Sequence, residues 1–375
     1  MTQNKVQWVR LSDFIVVCDE RNNDSHKLPV YGINKENEFM PTVANMTNVD
    51  TSKYKVLKKG LFAFNGMHVG RDVAIPIGKY DFNFNALISP AYTTFTIDSS
   101  KGILEEYFEV IIRLDEFDRL AWFYCDASVR GGIEWKRFLD IQIPLPSIER
   151  QQEIVDTWQG LRKMKEENEA IAAPLLQLCQ SYIQDLKHKY PLVELKEYIE
   201  ECTEKNTQNL YDENSARGVN TNKEIQQCKR IGDKLNSYKI VHKNNIVFNA
   251  NIKLTQDSEK FAVALYEEDN PCIVTGFYIV MKCNNKYILP KFLMLWLIRD
   301  EFARFVKFNS CSSVRDRFVF SDMQEVKIPL PPIEIQQAVV DLYRCANEAK
   351  KIAEEADRLS RDICPALLQH VIHEN

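Results

Sequence analysis

No stretch of this chain stays apolar for long. The longest run, Phe292-Leu-Met-Leu-Trp-Leu-Ile298, covers seven residues, where a bilayer span needs roughly 20. The opening residues, Met1-Thr-Gln-Asn-Lys-Val-Gln-Trp8, lack the apolar core of a secretory signal, so a cytoplasmic location without membrane contact is expected. Close cysteine pairs are absent too. Of ten cysteines, the nearest two are Cys272 and Cys283, so there is no C-x2-C scaffold for a structural zinc ion. Scattered cysteines in a cytosolic chain read as small buried hydrophobes or free thiols. Motifs of catalysis are likewise missing: no phosphate-binding loop, no G-x-G-x-x-G, no H-E-x-x-H, no G-x-S-x-G and no kinase set. The six histidines are scattered, and acidic pairs such as Glu105-Glu106 read as solvated helix faces. We therefore expect no catalytic residue and no metal site. What remains is an ordinary globular mix, 45% apolar and 27% charged, with a net charge of −5. That excludes a disordered or collagen-like chain, and 375 residues suggest two to three domains.

The most informative presence is an internal repeat. Ile143-Pro-Leu-Pro-Ser-Ile-Glu-Arg-Gln-Gln-Glu-Ile-Val-Asp156 recurs as Ile328-Pro-Leu-Pro-Pro-Ile-Glu-Ile-Gln-Gln-Ala-Val-Val-Asp341, an offset of 185 with ten of fourteen positions identical. The same offset joins Ser128-Val129-Arg130 to Ser313-Val314-Arg315, and Asp115-Glu116-Phe117 to Asp300-Glu301-Phe302. At 184, Phe64-Asn65 meets Phe248-Asn249, and Trp8–Ile15 lines up with Leu192–Ile199. The chain is thus two half-units, each a globular stretch followed by a polar helical tail. Two copies are too few for a solenoid and point to a pseudo-two-fold molecule, for which duplex DNA is a fitting two-fold partner.

The segments after each Ile-Pro-Leu-Pro are the clearest helices, with Glu149 and Glu334 in the first turn where the helix dipole favours an anion. A heptad count places Ile154, Thr157, Leu161, Met164, Asn168, Ile171, Leu175 and Leu178 on one seam. The offset carries it to Val339, Leu342, Ala346, Ala349, Ala353, Ala356, Ser360 and Ile363. A bulky face against a small one predicts interdigitation of the two helices, although heptads this short also suit two separate helices on their own domains. Asn168 reads either as a register-setting residue or as a solvated edge position. From Ile148 to Ala173 such a rod would span about 39 Å, on the order of one turn of duplex. In the globular parts, Lys58–Asn65 and Asn244–Asn249 read as turn plus strand, Ala86–Ile97 and Cys272–Met281 as strand pairs, and Leu104–Phe117 and Leu289–Phe302 as helices. The expected fold is α+β: two mixed α/β domains (1–142 and 191–327) separated by two long helical regions (143–190 and 328–375). The helices pair as an antiparallel coiled coil.

Acidity is concentrated in the helical tails and the globular parts are near neutral, so any contact with nucleic acid falls to local patches. One candidate groups Lys53, Lys55, Lys58 and Lys59 before Asn65, with Arg71 after it. The other groups Lys223, Lys229, Arg230, Lys234, Lys239 and Lys243 before Asn249. Arg130 and Arg315, with Arg317, occupy the shared Ser-Val-Arg, thirteen residues before each Ile-Pro-Leu-Pro. Lys and Arg suit phosphates, while Arg and Asn suit base edges. Each lysine taken singly reads as well as solvated surface, and the two arginines as ion-pair partners at the junction.

Several segments carry a family resemblance: Tyr31-Gly-Ile-Asn-Lys-Glu36, Pro41-Thr-Val-Ala-Asn45, Ser52-Lys-Tyr-Lys-Val56, Lys59-Gly-Leu-Phe-Ala-Phe-Asn65, Ser89-Pro-Ala-Tyr92 and both Ile-Pro-Leu-Pro…Gln-Gln stretches. Over its whole length the chain resembles the specificity subunit of Type I restriction–modification systems. The resemblance implies two target-recognition domains, each reading one half of a bipartite site in double-stranded DNA, and paired helices that set the gap. It also implies docking of two modification subunits, which carry S-adenosylmethionine and the methylation chemistry, and of two motor-nuclease subunits. The chain itself would hold no cofactor and no active site. In the second half, Arg217–Glu224 and Val274-Thr-Gly-Phe277 match the first half's motifs only loosely, which implies different half-sites. The competing expectation is a protein-interaction scaffold with paired helices and no nucleic-acid role.

Overall fold

A computed structural model of the chain describes residues 6–23, 27–67, 69, 73–125, 131–228, 230–251, 261–310 and 317–373. The chain divides into two compact units, Met1–Asn168 with Ile352–Asn375, and Glu169–Lys351. The helical regions are therefore not bodies of their own. Each long helix, Ile148–Lys189 and Ile333–His373, gives one half to each unit.

The two units repeat one topology. In the first, an antiparallel sheet runs in the order Ile15–Cys18, Thr93–Ile97, Phe62–Phe64, Ile77–Lys79. In the second, the order is Ile199–Glu201, Tyr278–Cys283, Ile246–Asn249, Val263–Leu265. A further sheet in the first unit orders Phe39–Pro41, Val30–Ile33, Ala86–Ile88 and Lys55–Leu57, with one parallel pairing. Its counterpart in the second unit is a hairpin (Arg217–Val219 with Ile225–Gln227) and a strand pair (Lys239–Val241 with Cys272–Val274). A single parallel bridge between Ala216 and Ile273 links them.

Two readings of the sequence need correction. Ala86–Ile97 is not a pair of strands folded on each other. Ala86–Ile88 and Thr93–Ile97 lie in different sheets, and Cys272–Val274 and Tyr278–Cys283 separate in the same way. The chain turns a corner at Ser89-Pro-Ala-Tyr92, closed by the Tyr92 amide on the Ser89 carbonyl, and at Thr275–Tyr278, closed likewise. The predicted helices over Leu104–Phe117 and Leu289–Phe302 are each two helices: Glu105–Ile111 and Asp115–Phe123, then Pro290–Leu297 and Asp300–Asn309. Leu114 and Arg299 are extended. The repeated Asp-Glu therefore opens a new helix, where the dipole favours acidic groups.

The strands of the Ile-Pro-Leu-Pro segments close each unit. Gln142–Leu145 pairs antiparallel with Gln7–Arg10, and Lys327–Pro329 with Leu192–Glu194. Prolines are tolerated because these ladders are only two strands wide. The first glutamine of each Gln-Gln then locks the start of the long helix to the helical layer. Gln151 is fully buried. Its Oε1 accepts from the Leu104 amide at 2.9 Å, and its Nε2 donates to the carbonyls of Gly102 (2.8 Å) and Pro146 (2.9 Å). Gln336, equally buried, accepts from the Leu289 amide at 2.9 Å and donates to Tyr287 and Pro331 at 2.8 Å each. Every partner is displaced by the same 185 residues. Since Leu104 and Leu289 cap their helices, the lock satisfies an amide that a helix start leaves open.

Within each unit the halves of the long helices pack antiparallel. In the first, Ile154 and Val155 share a buried cluster with Cys364, Leu367 and Leu368, and Lys165 pairs with Asp357 at 2.7 Å. In the second, Ile183 and Leu186 cluster with Val339 and Val340. The alanine face of the second helix is buried at Ala346, Ala349, Ala353 and Ala356, as expected. The bulky seam on the first helix is off by about one residue. Met164, Ile171 and Leu178 are 46–53% exposed, whereas Ala172 and Cys179 are 6% and 1% exposed. On the first helix small side chains, Ala172 and Cys179, are buried in the middle, and bulky ones, Ile154, Val155, Ile183 and Leu186, are buried toward its ends. Asn168 donates to the Met164 carbonyl of its own helix and sets no register across the pair.

The first unit adds a charged contact at the long helix. Arg113 and Arg162 lie over the Trp158 ring at 5.6 and 5.3 Å, and both reach the buried Glu109 carboxylate (3.3 and 3.5 Å). Burial pushes the Glu109 carboxyl above its ordinary range, against the pull of Arg113. At the 185 offset the second unit has Met294, Ile298, Tyr343 and Asn347, a largely apolar version of that contact.

Gln151→Ala and Gln336→Ala are each expected to destabilise the protein by about 2 kcal/mol, because buried amide and carbonyl groups lose their partners. Gln152→Ala and Gln337→Ala remove only exposed bonds to Asp156 and Asp341 and are expected to change stability by less than about 0.5 kcal/mol. Denaturant unfolding of the four variants checks this; equal costs for inner and outer glutamines would contradict the lock.

Candidate nucleic-acid interface

The shared Phe-Asn ends the central strand of each unit's antiparallel sheet. Asn65 and Asn249 then do the same work. Each side-chain oxygen accepts the amide two residues on, from Met67 and Asn251, at 3.0 Å. These two asparagines are turn-closing residues first, since the oxygen that would read an adenine is already engaged. The residue after each asparagine accepts a strand-like bond from the far end of its unit: Gly66 from the Ile133 amide and Ala250 from the Phe318 amide, both at 2.9 Å. A Cβ at Gly66 would fall 2.1 Å from the Ile133 carbonyl oxygen, so glycine is needed there for close approach.

The lysine cluster of the first unit is largely matched by acids that the reading of the sequence overlooked. Lys55 is buried and pairs with Asp19 at 3.1 Å. This corrects its assignment as an open phosphate contact, because its ammonium is held inside the sheet edge. Arg21 also pairs with Asp19, at 2.9 Å. The two cations hold the Asp19 carboxyl below its usual range, the Arg21 hydrogen bond first. Lys58 pairs with Glu20 at 2.6 Å, and Lys59 donates to the Asn83 side chain at 2.9 Å. Lys53 is exposed, and its carbonyl accepts from Arg21.

In the second unit, Lys223 donates its Nζ to the Phe261 carbonyl at 2.5 Å. Lys239 is half-buried against Glu201 at 3.1 Å, and Lys243 pairs with Asp269 at 2.6 Å. Lys223 and Lys239 thus serve the fold rather than an outer patch. Lys234, Arg230 and Arg317 are exposed; a backbone bridge to Asn251 fixes Arg317. Arg71, Arg130, Lys229 and Arg315 lie outside the described residues. Of the cations the sequence singles out, Lys53, Lys58 and Lys59 on the first unit and Arg230, Lys234, Lys243 and Arg317 on the second are exposed.

The outer edges of the two units differ in chemistry. The loop Asp81–Asn85, between strands of two different sheets, carries Phe82 and Phe84, half-exposed and 5.4 Å apart between ring centroids. The strand register sets Tyr80 against Tyr266, so the second unit has Glu268 and Asn270 in their places. Among the described residues no three His, Cys, Asp or Glu gather as metal ligands, and no helix is long and apolar enough to cross a membrane.

Residues 190–343 match the family model of the Type I restriction modification DNA specificity domain. This stretch is thus similar to a Type I DNA specificity domain. It opens just before the closing strand Leu192–Glu194 and runs past Gln336 into the second long helix, so it includes the glutamine lock. By the 185-residue offset its counterpart in the first half ends at Trp158. Over full length the chain is similar to the S subunit of the Type-I restriction-modification system from M. genitalium. The TM-score is 0.62 at 12% identity, covering 100% of this chain and 98% of that one. At that identity the likeness is one of fold, and the fold is the α+β architecture expected. The HsdS subunit from Thermoanaerobacter tengcongensis also aligns (TM-score 0.39, 14% identity, 100% and 98% coverage). So does a chain from a study of complex assembly and conformational transition in the type I R-M system (0.39, 12%, 99% and 98%). No curated protein matches.

One titration bears on the first unit. Asp118 lies on the helix Asp115–Phe123, and its Oδ1 accepts from the Ile75 amide at 2.9 Å. Burial pushes its carboxyl up to about 6 from 3.8, with the Ile75 bond pulling the other way. A carboxyl raised on folding contributes stability below its unfolded value and loses it as pH rises through the folded one. Asp118→Asn keeps the acceptor and removes the charge. The stability gain of the variant over the wild type is therefore expected to grow between about pH 4 and 6 and then level off. Denaturant midpoints across that range test it; a gap independent of pH would refute the burial of charge.

Proposed function

We propose that the chain is the non-catalytic DNA-specificity subunit of a cytoplasmic Type I restriction–modification complex. One observation carries the reading: two units share a topology and a glutamine lock residue for residue, while their outer sheets and loops differ in chemistry. A common frame with divergent faces suits two readers of two unlike half-sites. Each unit binds one half of a bipartite target in double-stranded DNA. The long helices set the non-specific gap and carry two modification subunits, which hold S-adenosylmethionine and transfer the methyl group. Two motor-nuclease subunits join the same assembly. Phosphate contact falls to the exposed Lys53, Lys58, Lys59, Arg230, Lys243 and Arg317, with Arg71, Arg130, Lys229 and Arg315 as further candidates.

Methylome sequencing with and without the gene is expected to show one bipartite, asymmetric motif that depends on this chain. A single continuous motif, or no change, would sink the proposal. Deleting one heptad from both long helices is expected to shorten the gap between the half-sites or abolish modification. An unchanged gap would remove the spacing role.

A further inference from the structure

The second short helix of each unit carries an outward feature that its packing does not account for. Asp115-Glu116-Phe117-Asp118-Arg119-Leu120-Ala121-Trp122-Phe123 and Asp300-Glu301-Phe302-Ala303-Arg304-Phe305-Val306-Lys307-Phe308 agree at five positions. Three have local reasons: the acids open the helix, and Phe117 and Phe302 are buried in their cores. The other two positions, Arg119/Arg304 and Phe123/Phe308, face water. Both arginines are exposed, and Phe123 and Phe308 are 77% and 83% exposed, the most exposed aromatic side chains among the described residues. Each phenylalanine follows its arginine by four residues, so the pair lies side by side on the outer face.

A single exposed aromatic needs no explanation, but here the same one stands at the same place in both units. The loops after Tyr80 and Tyr266 differ, Phe82 and Phe84 against Glu268 and Asn270. A feature kept where the rest diverges serves something that both half-sites share. More cations gather at the same helix ends. Arg137, exposed beside Lys136, donates to the Tyr124 carbonyl at 3.4 Å. Exposed Arg317 precedes Phe318, whose ring packs on Phe302 and Phe305. Among the described residues Arg119 pairs with exposed Glu116, a contact that a phosphate displaces at little cost.

We infer that Arg119 with Phe123, and Arg304 with Phe308, are the sequence-independent DNA contacts of the two units. Each arginine holds a phosphate, and each phenylalanine packs against sugars and base edges in the adjacent groove. The inference rests on the DNA-specificity reading above.

The test uses the chain assembled with its modification subunits. Fluorescence anisotropy is measured on a duplex bearing the target and on a scrambled duplex of equal length. Phe123→Ala and Phe308→Ala are each expected to weaken both duplexes about tenfold, by similar factors, and Phe308→Trp to restore affinity. Arg119→Ala and Arg304→Ala are each expected to lower the slope of log affinity against log salt by about one. Variants that bind both duplexes like the wild type overturn the inference and leave the functional reading standing. Variants that lose the modification subunits on gel filtration overturn it as well, since the pair is then a protein-docking site. A wild-type complex without DNA affinity overturns the functional reading itself, and this inference with it.

Discussion

The buried amides of Gln151 and Gln336 are the constraint on which the rest depends. A primary amide offers two donors and one strong acceptor in a single plane. Here the oxygen takes the amide that opens a domain helix, and the nitrogen holds two carbonyls on either side of the junction. With no water to compete, a partly satisfied amide would be costly, so this geometry admits one arrangement of long helix, domain helix and closing strand. The Ile-Pro-Leu-Pro strand supports it by binding the beginning of each unit to its end. That is why this short stretch is the part of the repeat that survives nearly unchanged.

Around the lock, the two units reach the same topology by different chemistry. The first braces its long helix with Glu109, Arg113 and Arg162 around Trp158, a polar contact whose desolvation needs every partner in place. The second uses Met294, Ile298 and Tyr343 and needs only apolar contact. The four-stranded outer sheet of the first unit shrinks in the second to two pairs joined by one bridge. Divergence is tolerated where side chains meet solvent, and much less where buried polar groups must find partners.

Cations follow the same division. Lys55, Lys223 and Lys239 bond acids or carbonyls inside their units, and Lys58 and Lys243 are paired at the surface. The positive charge left for an outside partner is smaller than a count of lysines suggests. A net charge of −5 and DNA recognition are compatible because phosphate is read over distances of a Debye length, by local groups.

Much was legible without coordinates. Duplication, two long helices, the strand ends at Asn65 and Asn249, and the alanine face of the second helix all follow from identity at fixed spacing or from periodicity, which chain order alone carries. The lysine patches were not legible, because Asp19 and Glu20 lie more than thirty residues from the lysines they neutralise, and pairing across strands is decided by register. The inward row of the first helix was not legible for a similar reason: its period is visible in the sequence, but which of two neighbouring rows is buried is decided by what the folded chain packs against it. The sequence by itself determined that one frame is built twice. Only tertiary structure decided which polar groups that frame consumes and which, such as Arg304 and Phe308, it leaves facing water, because burial belongs to the folded neighbours and not to the residue.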